Sequence, residues 1–597
     1  MTAVVSLGLL VPIVAGTLLA LANVAERRRA AAVVAMLAAL ASLALLAVVL
    51  GRTGDGRTVV WWGDWPPRGR VVGIDFAIDG LGAGLALYVM VLALPALLMA
   101  GYAIRASAQL FYGVCLVFVA AMVGYCLTGD LFDLFVFFEL MSVAAYVLVG
   151  YEVRRRAPLE GALTFAVTNS VGSILLLFGI ALLYGKTGAL NLAQIGRALH
   201  DVGPSGLVYV AFALVATGLL VKAAVVPFHF WTADAYGVAP TPVLILLAGV
   251  FSELGLYGFA RVFWTVFEPA LAAHHDAVRA IFVVLGVATG LLGAALALAQ
   301  HHLRRLLAFV VISQIGLFLV GIALLSADGL AGTAIFVVGD GFAKAALFIC
   351  VGVVQHRYDA IEERTLHGRA RALWPLAVIY LVAALTVADL PPFGAFLGKA
   401  LVEDAALRAP GWAWVPAAMA LISALAAGAL LRAGLRVFGG VGEPAPRDAR
   451  FAGDDDSGRE EEADVAVGVP AAIAAVLVLA ALAWGLVPGL AQAVTEAAAR
   501  FTDPAGYAAA VLGGGASTPA VPSVHGPGLT AYLYAAATLA GAAAVAALGV
   551  AGRRLPAAAA RAVDAVRALH SGHAGDYVAW TAGGAAALAG LFALTLR

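Results

Sequence analysis

Three lysines stand inside long apolar runs: Lys222 in 207–235, Lys344 in 331–355 and Lys399 in 372–403. Two glutamates do the same, Glu139 in 130–150 and Glu253 in 242–264. Asp340 precedes Lys344 by four residues, so a helix sets both on one face. The chemistry open to such groups is reversible protonation. Lysine suits it, because its proton affinity changes readily on burial while arginine stays charged. A charge at the centre of a bilayer costs at least ~2.5 kcal/mol, so it turns toward protein or water and marks an ion or proton path. Buried pairing for structure alone is the alternative, but a scaffold has no need of charges on so many separate helices.

The elements that hold these residues follow from composition. Of 597 residues, 63% are hydrophobic and only 12% charged, where a soluble chain spends roughly a quarter on charge. An all-α integral membrane protein results, with about sixteen transmembrane helices of about twenty residues each. They are placed near 2–22, 30–50, 76–100, 109–127, 130–150, 160–184, 207–235, 242–264, 277–299, 305–325, 331–355, 372–403, 412–438, 467–487, 527–552 and 576–596. The first run lacks a basic leader and reads as a span. The chain divides into helices 1–3 (1–108), two five-helix sets (109–264 and 277–438), a charged loop (439–466) and C-terminal helices (467–597). Because five is odd, the second set inserts upside down relative to the first. The fourth helix of each set is broken by proline, at Pro227 and at Pro391–Pro392. Inverted repeats with broken helices at mid-membrane are a transporter pattern.

Arginine sets the orientation. Twenty-two of the 36 basic residues fall in alternate loops, among them Arg27–Arg29, Arg105, Arg154–Arg156, Arg304, Arg305, Arg364, Arg369, Arg447, Arg553 and Arg567. That side is cytoplasmic and both termini lie outside. Asp454–Asp456 and Glu460–Glu462 belong to a solvated cytoplasmic linker, and 503–526, rich in Pro, Gly and Ser, reads as an external loop. Zero net charge gives no sign of a nucleic-acid partner. Cys115, Cys126 and Cys350 lie far apart in apolar runs and have no metal-ligand or disulfide spacing.

Several longer runs carry a resemblance. LFDLFVFFELMSVAAYVLVG from Leu131, VKAAVVPFHFWTADAYGVAPTPV from Val221, HHLRRLLAFVVISQIG from His301, GFAKAALF from Gly341 and DLPPFGAFLGK from Asp389 resemble one family. It comprises the antiporter-like proton-conducting subunits of respiratory complex I (NADH-quinone oxidoreductase), energy-converting membrane hydrogenases and Mrp-type Na+/H+ antiporters. The resemblance runs from about Asp79 to Lys399. It implies an ion pair between Glu139 and Lys222, a connecting role for Lys344, and an ionisable outlet at Lys399. It also implies a place for His229 as a polar relay, with a hydrogen-bonded structural histidine as the alternative. Three positions depart from the family pattern. Glu253 stands where many relatives have lysine, Asp340 where a histidine is usual, and His302 where an aspartate is usual. Residues 553–575 have room for only a short amphipathic helix, where the largest complex I member has a long lateral one.

The resemblance implies a multi-pass subunit of the cell membrane that moves protons within a multisubunit, redox-driven complex. No nucleotide loop, haem motif or iron–sulfur ligand set is present, so no cofactor is expected and redox chemistry belongs to partner subunits. An Mrp-type Na+/H+ antiporter subunit, with Na+ as coupled ion, and a non-conducting membrane scaffold are the alternatives.

Overall fold

In lipid every backbone polar group has to be satisfied within its own segment, and uninterrupted apolar runs therefore become helices. A computed structural model describes the chain apart from residues 23–27, 54–55, 66–72, 106, 444–466, 515–518, 523–525, 553–560, 562–568 and 596–597. The acidic residues Asp454–Asp456 and Glu460–Glu462, the arginines 27, 447, 450, 459, 553, 554 and 567, and most of the expected 553–575 helix lie outside the described residues.

Among the described residues fourteen helical stretches are long and apolar enough to cross a membrane. One of them, Thr241–Ala299, has 59 residues and turns at the 3-10 segment Ala272–His274. The Phe259 and Phe282 rings meet at 4.6 Å, whereas a straight helix would hold residues that far apart in sequence ~35 Å away. The stretch thus doubles back and covers both 242–264 and 277–299.

Two expected spans are each two helices: Gly206–Lys222 with Phe230–Val238, and Trp374–Val387 with Gly394–Arg408. The breaks have the same construction. In the first, Ala224 N donates to Val221 O, Val225 N to Leu220 O and Phe228 N to Val225 O. In the second, Asp389 N donates to Thr386 O, Leu390 N to Leu385 O and Phe393 N to Leu390 O. Each turns through one non-glycine residue in the left-handed region, Ala224 (φ 60°) and Asp389 (φ 63°), a conformation that costs ~1–2 kcal/mol. Gly398 lets the helix after the second break approach Ala327–Tyr358 closely, since a Cβ there would lie 2.2 Å from Phe336 N.

The fold is mostly helical, as expected, with one local exception. Thr58–Trp61 and Asp75–Ile78 form an antiparallel pair, Thr58 opposite Ile78 and Trp61 opposite Asp75, so helix begins only at Gly80. Valine, tryptophan, phenylalanine and isoleucine favour a pleated surface. Helices also occupy places read as loop: Leu192–Val202, Leu490–Phe501 and, inside the expected 503–526 loop, Pro504–Leu512. The first two are amphipathic, with a polar face that hides them from a search for continuous apolar runs.

Candidate proton path

Lys222 ends the helix before the first break and is fully buried. Its ammonium donates to Ser142 Oγ, and Ser142 donates in turn to Phe138 O at 2.5 Å. The ring of Phe138 lies 4.1 Å and that of Phe251 4.7 Å from Nζ, cation–π contacts worth up to ~2 kcal/mol when desolvated. The Glu139–Lys222 pair that the family resemblance implies is not closed into direct contact here, although the Glu139 charge acts on the Lys222 ammonium from farther off. Among the described residues no carboxylate oxygen lies within 4.0 Å of Lys222 Nζ, and Glu139, half-buried, leaves Oε1 without a partner. The hydroxyl and the two aromatic faces are the direct contacts of the ammonium.

Lys344 is the opposite case. Its Nζ lies 2.6 Å from Glu253 Oε1 and 2.8 Å from Asp340 Oδ2, with all three side chains buried. The two unusual acids therefore clasp one lysine. Just before Glu253 the backbone forms a π turn, Leu247–Phe251, a feature frequent at functional sites. The carbonyls of Leu247 and Gly249 accept from Tyr236 and Tyr88 at 2.7 and 3.1 Å. Glu253 also lines a largely apolar cavity of about 670 Å³ that reaches Glu496 and Arg500.

Lys399 repeats the arrangement with residues the sequence reading passed over. It pairs with Asp389, lies 3.8 Å from Glu403 Oε1 and donates to Ser423 at 3.0 Å. Glu403 is one helical turn from Lys399, a signal that the spacing alone offers. Asp389 is ten residues away in sequence, and only the break folds it back.

His229 sits at the far end of the first break, 2% exposed, beside the Pro227 carbonyl but with no well-formed hydrogen bond on either ring nitrogen. Thr232 Oγ1, Thr217 Oγ1, Asn169 Oδ1 and both polar atoms of Gln314 are likewise buried without a protein partner. Their helices pack around this break. Buried polar atoms of this kind are met by water. His302 caps the helix it precedes, its Nδ1 accepting from Arg305 N at 3.3 Å, the task an aspartate performs at such a position.

Two further buried pairs brace the bundle, and neither was visible in the sequence. Asp79 bonds Arg261 at 2.6 Å, with the guanidinium 3.8 Å over Phe501. Glu363, in the loop after Ala327–Tyr358, takes His301 at 2.6 Å and Arg432 at 3.4 Å and also pairs with Arg436. Burial pushes the Glu363 carboxyl up, but the His301 hydrogen bond and the two arginines outweigh it and hold it below its ordinary value.

A family described as NADH:quinone oxidoreductase/Mrp antiporter, transmembrane, matches residues 128–425. The chain is 32% identical to an NADH-quinone oxidoreductase subunit of Desulforudis audaxviator, over 60% of this chain and 71% of that one. It is 26% identical to an Na(+)/H(+) antiporter subunit of Bacillus subtilis, over 63% and 75% respectively. Among solved structures, a chain of the Mrp complex from Dietzia sp. superposes with a TM-score of 0.73 at 30% identity, covering 86% of this chain and all of that one. With its broken helices and buried lysines, this multi-pass membrane protein belongs to the NADH:quinone oxidoreductase/Mrp antiporter transmembrane family.

Proposed function

We propose that the chain is the proton-translocating membrane subunit of a multisubunit, complex I-like redox-driven pump of the cell membrane. Its sites are Glu139, Lys222, His229, Glu253, Asp340, Lys344 and Lys399. The observation that carries this reading is the set of three buried lysines, two of them flanking breaks of identical hydrogen-bond pattern 165 residues apart (Ala224 and Asp389). That likeness supports two inverted five-helix repeats, and counting each broken or doubled stretch as it folds supports sixteen spans. The arginine-rich loops face the cytoplasm. Protons enter through the hydrated first break to Lys222, pass the Glu253–Lys344–Asp340 cluster and leave outward past Lys399. Glu139 acts by position. As it swings toward Lys222 it stabilises the ammonium, and as it withdraws that Coulomb attraction is lost.

The test is Lys222→Ala in everted vesicles carrying the whole assembly. Proton pumping is lost while the complex still assembles, and Glu139→Gln does comparable damage. Undiminished pumping by Lys222→Ala would overturn the proposal in favour of a scaffold. A second reading, an Mrp-type Na+/H+ antiporter subunit, is favoured by the extent of the structural match to the Mrp chain. It requires Na+-dependent proton flux in the same vesicles.

A further inference from the structure

The C-terminal helix Ala574–Thr595 lies beyond the family-matched region and packs directly on the first break. Gly584 makes the approach possible, because a Cβ there would meet Pro227 Cγ at 2.6 Å and Phe228 Cε1 at 2.7 Å. Tyr577 stacks on Phe230 at 5.0 Å and donates to Asp234 Oδ2 at 3.1 Å. This docking delivers His570, on the turn just before the helix, to the mouth of the break. The His570 ring stands 5.2 Å from that of His229, 4.8 Å from Phe230 and 5.7 Å from Phe309.

The two imidazoles differ in access. His570 is half-buried, whereas His229 is 2% exposed and its ring lies beside the Pro227 carbonyl. A neutral imidazole carries one donor and one acceptor nitrogen, so it can take a proton on one side and release one from the other. The charged and titratable groups around the pair are Asp234 and Tyr577, with Arg305 3.7 Å from Asp234. Asp234 therefore places a negative charge at the mouth, where an imidazolium forms, and Arg305 balances it.

We propose that His570 is the proton-uptake residue of the first half-channel, taking protons from the cytoplasmic solution and handing them through His229 to Lys222. At uptake an O–H bond of a hydrated proton breaks as an N–H bond forms on His570, and in each later transfer one N–H bond breaks and one forms. His570 returns to neutral as the His229 ring gains its proton, and His229 returns to neutral as the Lys222 amine becomes ammonium. No electron moves. The inference rests on the proton-translocating reading of Lys222.

The experiment compares three variants of the full chain in vesicles carrying the complete assembly, with initial rates of proton uptake followed between pH 6 and 8.5. His570→Phe keeps the ring contacts with Phe230 and Phe309 while removing both nitrogens. Its rate is expected to fall at least about fivefold, most steeply at the alkaline end where protons are scarce. His570→Ala is expected to be equally slow and to recover with millimolar free imidazole, a rescue that a purely packing role does not permit. Wild-type rates for His570→Phe across the pH range, or slow His570→Ala without imidazole rescue, would overturn the assignment of His570. Lys222→Ala is the control. If it too transports normally, the proton-translocating reading itself fails, an outcome separable from the failure of His570 alone.

Discussion

The Glu253–Lys344–Asp340 cluster makes a quantitative demand. Nζ lies 2.6 Å from one carboxylate and 2.8 Å from the other. At an effective dielectric of about 20, each contact is worth about 6 kcal/mol of Coulomb attraction. The two bonded oxygens are separated by no more than the sum of those distances, about 5.4 Å, so their mutual repulsion is at least about 3 kcal/mol. The second carboxylate thus gains at most about 3 kcal/mol, and the several kcal/mol of desolvation for a buried ion offset it. Either acid alone suffices to hold the lysine. Glu253→Gln and Asp340→Asn are therefore expected to shift stability by no more than ~1–2 kcal/mol. Lys344→Met, which strands two acids, costs ~3–5 kcal/mol. Transport ranks differently, because all three variants interrupt the central relay and lose at least about tenfold in pumping rate. Thermal unfolding in nanodiscs and pumping in vesicles give the two orders independently. If Glu253→Gln melted as early as Lys344→Met, the surplus-carboxylate reasoning would be refuted.

Other consequences are tested more briefly. Glu363, held below its ordinary value of 4.5, contributes stability that is fully present above about pH 4.5 and lost as pH falls through its lower folded value. Unfolding midpoints between pH 7 and 3.5 should drop more for the wild type than for Glu363→Gln, which is itself destabilised by ~3–5 kcal/mol because Arg432 and Arg436 lose their counter-ion. Cysteines placed at the exposed positions Arg369 and Ala510 should react with impermeant maleimide only from the cytoplasm and only from outside, respectively. The three native cysteines are buried and need not be removed. Labelling of both from one face would break the helix count. Gly584→Val should lift the last helix off Pro227, lower the pumping rate several-fold and leave assembly of residues 128–425 with partner subunits intact, as checked by native gel electrophoresis.

How far these features could be read from sequence depended on the range of the contact. Lys222, Lys344 and Lys399 declared themselves because a cation in a twenty-residue apolar run has few places to go, and Asp340 because it lies one turn from Lys344. Glu253 stood out as an acid in an apolar run, but which lysine it meets did not, since the 2.6 Å contact with Lys344 joins residues 91 positions apart. Asp389 and Asp79 could not be found in this way. One is folded onto Lys399 by a break whose geometry no local preference specifies. The other meets Arg261 across 182 residues. The resemblance implied Glu139 as the partner of Lys222, and its charge does act there, but nothing in the sequence revealed Ser142 and the two phenyl rings that make the direct contacts. Boundaries held where apolar runs were continuous and failed at Leu192–Val202 and Leu490–Phe501, whose polar faces look like loop.

The two breaks receive their covers from the end of the chain. Leu529–Val550 reaches the second, where Thr538 lies beside Asp389 and Tyr532 meets Phe396 at 5.1 Å, and Ala574–Thr595 reaches the first. Gly584 emerges from the ribosome 357 residues after Pro227, which at ~5–20 residues per second is roughly 20–70 s. For that interval a proline-broken helix, with the buried polar groups around it, lies in the bilayer without its lid. Nascent chains stalled before residue 529 should accordingly dissipate a proton gradient unless a partner subunit already occupies the gap, which makes the order of synthesis and assembly part of how the membrane is kept tight.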